Sequence, residues 1–247
     1  MIKKDTEHLY SEEISLLASP DHYDYVQFNL RKIKELRKNF NLPIIGISGA
    51  EGKTTTKRML NAILSQRGEV LETPLDCNSA SVVTSTLLKL KPSHQYGLIE
   101  LGIVNPEQFK MAVEVVQPSV GVITNIGEAH LANLGNKFLI ADAKVELIRN
   151  LPSTGFAVLN IDDELVSGMD TFSPTRHVIK FGFNSSAHFT ASNIRHLGPD
   201  GMEFLVNNYY KLHLPIFSSS SVSNALAAIS VARILNFSFD EIKNGLE

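Results

Sequence analysis

The sequence predicts an α/β fold: a mostly parallel sheet flanked by helices, with a small antiparallel β addition in the C-terminal third. Three observations carry this. Short apolar runs such as PIIGIS (43–48), YGLIELG (96–102) and SVGVITN (119–125) alternate with helical segments of about 12 residues, as parallel strands covered on both faces require. Past about residue 175 the helical segments give way to strand-like runs with short turns. The 247 residues are 43% hydrophobic, enough for a sizeable core.

Taken in order, residues 1–23 are polar and without a clear period, a loose arm, and 24–40 read as a helix ended by NLP. PIIGIS is a strand, KTTTKRMLNAILSQRG a helix stopped by Gly68, EVLET a strand, SASVVTSTLLKL a helix and YGLIELG a strand. PEQFKMAVEVVQP is a helix bracketed by Pro106 and Pro118, SVGVITN a strand, KFLIADAKVELIRNL a helix and GFAVLNI a strand. The runs HVIKFGF, HFTASNIRHL, GMEFLVN and YYKLHLPIF, with the turn GPDG at 198–201, make the antiparallel addition. A helix follows with Val222, Ala225, Leu226 and Ile229 on one face, and the chain stops abruptly in or after another, FDEIKNGLE, as a piece of a longer protein would.

Composition excludes several classes. A net charge of -3 argues against nucleic acid and against a membrane surface, and RKIKELRK (31–38) reads as the solvated face of a helix. One cysteine, Cys77, rules out a disulfide scaffold and reads as a buried small hydrophobe. There is no signal-peptide core and no run of about 18 apolar residues, so the expectation is a soluble, cytoplasmic protein; a monomer is expected besides.

The chemistry concentrates in GISGAEGKTTTKRML (46–60). A strand ends, Gly49 and Gly52 permit positive φ and close backbone approach, and a helix opens near Lys53 with its free N–H groups facing the loop. Phosphates would lie on Gly49, Ala50, Glu51, Gly52, Lys53, Thr54 and Thr55, with Lys53 reaching the terminal phosphates and a Thr54 or Thr55 hydroxyl on Mg²⁺. The plainer alternative is an ordinary strand–helix turn that happens to carry a lysine.

Six segments resemble, in order over about 43–247, the Mur ligase family: SGAEGKTTTKRML, LIELG (98–102), VITNIGEAHLANLG (122–135), IADAKVELI (140–148), AVLNIDDELV (157–166) and SVSNALAAISVA. The resemblance implies a domain at 43–247 that binds ATP, an atypical arm at 1–42, and a C-terminal ligase domain absent from this chain. It implies an ATP-dependent carboxylate–amine ligase working through an acyl phosphate, with a nucleotide-sugar peptide or other carboxylate and an amine such as a dipeptide as substrates. The wording sits nearest the member that adds D-alanyl-D-alanine to a UDP-muramoyl-tripeptide in peptidoglycan synthesis. By the same resemblance Lys53 holds phosphates, Thr54 and Glu100 bind Mg²⁺, His130 serves a second metal, and Lys144 is carbamylated into an anionic ligand. Asn224 contacts adenine and Asn78 lies on the substrate side. Plainer readings stand beside these: His130 as a solvent histidine, Lys144 as a surface lysine, Asn224 as a helix cap.

The sequence departs from the family pattern at four places. Glu51 puts an acid in the phosphate loop, where it is expected to point outward. NSASVVT (78–84) keeps Asn78 but changes the stretch expected to face the substrate. IVNPEQF (103–109) replaces a longer loop, and Ser218–Ser221 replace residues expected near adenine. A Mur-like ligase with a different substrate, or a non-catalytic nucleotide-binding scaffold, are therefore the alternatives.

Overall fold

The computed structural model describes residues 22–74, 78–103, 105–127, 136–216 and 218–247. Cys77 and His130 lie outside the described residues. The elements run α1 (His22–Lys38), β1 (Ile44–Ser48), α2 (Lys53–Leu64), β2 (Glu69–Glu72), α3 (Ala80–Leu87), β3 (His94–Glu100), α4 (Pro106–Val116), β4 (Val120–Ile123), α5 (Lys137–Arg149) and β5 (Phe156–Asn160). Then come α6 (Glu164–Ser167), a 3-10 turn, β6 (Val178–Gly182), β7 (Phe189–His196), β8 (Met202–Val206), β9 (Tyr210–Leu214), α7 (Ser219–Ile234) and α8 (Phe239–Leu246).

The strands form a nine-stranded sheet in the order β2-β3-β1-β4-β5-β6-β7-β8-β9. The strands β2, β3, β1, β4 and β5 are parallel throughout, and the antiparallel addition is β7, β8 and β9. One expectation needs correcting. HVIKFGF does not open the antiparallel part: β6 lies parallel to β5, with Ala157 opposite Val178 and Asn160 opposite Phe181. Parallel neighbours need a crossover, and α6 with its 3-10 turn supplies one that the sequence reading passed over. The addition is also continuous with the main sheet, joined where β6 meets β7 at Phe181–Phe189 and Gly182–Thr190.

Two cores sandwich the sheet. On one face α1, α3, α4 and α5 bury Ile33, Val83, Phe109, Val113, Ile140 and Leu147. On the other, α2, α7 and α8 bury Leu60, Ile63, Leu226, Ile229 and Ile242, with Phe204 and Leu212 from the antiparallel strands closing that core. The basic run 31–38 keeps Arg31, Lys32, Lys34 and Lys38 exposed around buried Ile33, the solvated face expected. Arg37 is the exception: it donates to Val116 O and Gln117 O, covering the carbonyl end of α4. Among the described residues no helix is long and apolar enough to cross a membrane.

Candidate functional site

In this strand order β1 lies between β3 and β4, where the direction of winding reverses. Crevices of open α/β sheets form at such points, outside the carboxyl ends of the strands. The loop after β1 stands there. Gly52 is left-handed at φ 81, and a Cβ on it would collide with the side-chain amide of Asn224, which α7 brings against the loop. The end of β4 staples the loop from the other side. Asn125 Oδ1 accepts from the N–H groups of Ala50 (3.0 Å) and Glu51 (2.9 Å), while Thr124 Oγ1 and Asn125 Nδ2 donate to Glu51 O at 2.6 and 3.1 Å. Lys53 Nζ folds back onto Ala50 O at 3.0 Å. Glu51 is exposed. With the amides of Ala50 and Glu51 engaged by Asn125, an anion would meet the first turn of α2, whose N–H groups have no acceptor within the helix.

Glu100 ends β3 opposite Ile47 of β1 and is 1% exposed. Strand alternation turns it to the α2 face. Thr54 Oγ1 donates to Glu100 Oε2 at 3.0 Å and Asn78 Nδ2 to Oε1 at 3.0 Å. Lys57, one helical turn beyond Lys53, is fully buried and forms an ion pair with Oε2 at 3.6 Å. Its Nζ also donates to Thr73 O at 2.6 Å and Pro74 O at 3.3 Å. Thr73 Oγ1 accepts from the Glu100 N–H at 3.0 Å, locking the strand end.

Lys144 comes from the opposite face, on α5. Asn136 caps that helix by accepting from the Leu139 N–H, and Ile140, Ala143 and Leu147 press it on the sheet. Lys144 is 1% exposed, so it is no surface lysine. Its Nζ donates to Ser48 Oγ at 3.5 Å, and Ser48 Oγ donates to Leu101 O at 2.9 Å. Burial first, and then the Lys53 charge, push the amine down to about 7.

The donor set suits a hard divalent ion in kind: the Thr54 hydroxyl and the Glu100 carboxylate are both oxygens, and the carboxylate retains lone-pair capacity beyond its contacts. Among the described residues no three His, Cys, Asp or Glu side chains group together.

Residues 47–232 match the family model described as the Mur ligase middle domain. This chain belongs to the Mur ligase family. A UDP-N-acetylmuramoyl-tripeptide–D-alanyl-D-alanine ligase of Synechocystis is 35% identical over 211 residues, 85% of this chain and 44% of that protein. The ligase of the same name from Escherichia coli is 32% identical over 215 residues, 85% of this chain and 47% of that protein. The crystal structure of MurF from Acinetobacter baumannii superposes with a TM-score of 0.82 at 30% identity, covering 90% of this chain and 49% of that one. The chain thus spans about half the length of the relatives it matches.

Against the Mur ligase pattern, the fold gathers Lys53, Thr54, Glu100, Asn78 and Asn224 round one loop, with Lys144 reaching the same strand ends from the far face. Asn224 is not a cap: Ser218 holds that position and Asn224 lies inside α7. The stretch 78–84 departs from its expected place. Val82, Val83 and Thr84 are buried in α3, since a helix starting at Ala80 turns them into the core, so only Asn78 and Ser79 remain partly open. The sequence reading missed Lys57, Thr73, Thr124 and Asn125. Lys57 did leave a signal, because i,i+4 spacing in KTTTK places it on the face of Lys53.

Proposed function

We propose that this chain is the ATP-binding part of a ligase that joins a carboxylate to an amine, its substrates being a UDP-muramoyl-tripeptide and D-alanyl-D-alanine. The observation that carries the reading is the Lys53–Thr54 helix start set against Glu100 at the switch point of the sheet. The names of the relatives over 85% of the chain support the choice of substrates. Of the changed positions in 78–84, Val82 and Thr84 are buried, which leaves Ser79 as the one partly open to an acceptor.

In this reading the first turn of α2 and Lys53 receive the β- and γ-phosphates; the γ-phosphoryl passes to the acceptor carboxylate with ADP as leaving group, and the amine then attacks the acyl phosphate, forming the amide and expelling inorganic phosphate and a proton. Mg²⁺, when bound, neutralises charge on the transferred group. Thr54 and Glu100 would hold it, while Asn78 fixes the second carboxylate oxygen and Asn224 backs the loop at Gly52. Lys144, with its amine held at about 7, keeps a neutral fraction at physiological pH that can add CO₂ and release a proton. The resulting carbamate would place an anion beside Lys53 in place of a competing cation.

Calorimetry of the chain with Mg-ATP tests the site. Lys53→Ala should abolish binding, and unchanged affinity would overturn the assignment. In the whole gene product, sustained ADP release over many turnovers should require both the UDP-muramoyl-tripeptide and D-alanyl-D-alanine. Release that depends on neither refutes the proposed substrates.

A further inference from the structure

Lys57 is the charged group of the site with no part in the chemistry above. Its ammonium has three protons, and the acceptors around it are Thr73 O, Pro74 O, Thr73 Oγ1 at 3.4 Å and Glu100 Oε2. Its side chain is 0% exposed and that of Glu100 is 2% exposed. Burying two opposite charges costs as much as it returns when a well-packed apolar pair could replace them, so stability is a poor reason for the pair. Nor can Lys57 swing away, because leaving would orphan the carbonyls at the end of β2. Glu100 therefore faces a fixed cation on the side of Oε2 where Thr54 also points.

Resting on the reading of Glu100 as a metal ligand, we propose that Lys57 is a positioning residue that holds Glu100 in place and bars a free divalent cation from it, so that metal enters only with the nucleotide. A bare ion meeting Glu100 must share the carboxylate with an ammonium only 3.6 Å from it, in a setting of low dielectric. An ion carried on polyphosphate brings its own anionic ligands and tolerates the shared carboxylate.

Mn²⁺ binding by the chain, followed by electron paramagnetic resonance with and without ATP, tests this. Lys57→Gln keeps an N–H donor for the carbonyls and removes the charge. It should tighten binding of Mn²⁺ alone by about tenfold or more, and adding Glu100→Gln should erase that gain. Lys57→Arg, which keeps the charge, should behave as the unaltered chain does. If Lys57→Gln binds Mn²⁺ no more tightly while Glu100→Gln still weakens Mn-ATP, Lys57 is structural and the inference falls with the metal reading intact. If Glu100→Gln leaves Mn-ATP affinity unchanged, the metal reading fails first. Should the Lys57 variants not fold, crystals of the unaltered chain soaked in Mn²⁺ without nucleotide decide it: no anomalous peak at Glu100 supports the proposal and a peak there overturns it.

Discussion

Lys144 sits where a permanent cation is least welcome, buried against Ser48 and within the field of Lys53. The folded chain releases its proton near pH 7, whereas the unfolded chain keeps it up to the ordinary value of 10.5. Between those limits the unfolded state holds more protons, so this group makes the fold more stable as pH rises, and its penalty is full below about 7. Lys144→Met should therefore raise the urea midpoint most near pH 6 and least near pH 10. Equal gains at both pH values would show that the amine titrates normally. Glu51, in the loop after β1, is held by its backbone: Asn125 and Thr124 bond its N–H and carbonyl groups.

The loop between β1 and α2 depends on one backbone conformation and one neighbouring helix. At φ 81, Gly52 lies where an L side chain is strained, and a Cβ would also strike Asn224. Gly52→Ala should cost about 1–3 kcal/mol in denaturant unfolding. Part of that cost is steric and part intrinsic, so Asn224→Ala in the same chain should recover some of the loss but not all of it. A double-mutant cycle with no coupling would mean that α7 does not press on the loop. Most elements were legible from periodicity and punctuation: α4 between its prolines and α7 by its apolar face both emerged within a few residues of their expected bounds. The pairing direction of β6 was not, because a strand's own residues do not encode the direction of its neighbour.

Across the molecule, α8 is tied to the turn after α2 by Gln66, which donates to Glu241 O at 2.8 Å, and by a bidentate contact from Arg67. Arg67 Nε and one terminal nitrogen each donate to the Glu241 carboxylate at 2.7 Å. Arg67 and the Ser238 backbone hold that carboxyl near 2, below its ordinary 4.5. A depressed carboxylate contributes above its unfolded value and loses that contribution as pH falls through the folded one. Stability should thus drop between about pH 4.5 and 2 in a manner that Glu241→Gln removes, as thermal melts across that window would reveal. An unchanged acid profile in the variant would show that solvent screening cancels the contact.

What residue order settled is the family. Glycine punctuation, the GKTTT helix start and six ordered segments are local features, written in neighbouring residues and readable one segment at a time. What waited on the folded chain is which of those residues share a carboxylate. Lys57, Thr73 and Asn78 meet Glu100 only because parallel pairing puts the ends of β2 and β3 side by side beneath α2. The burial of Lys144, and with it the fall of its amine to about 7, arises in the same way, from helix and sheet closing round a group whose neighbours in the chain are ordinary. Desolvation and long-range charge are properties of enclosure, and enclosure exists only in three dimensions.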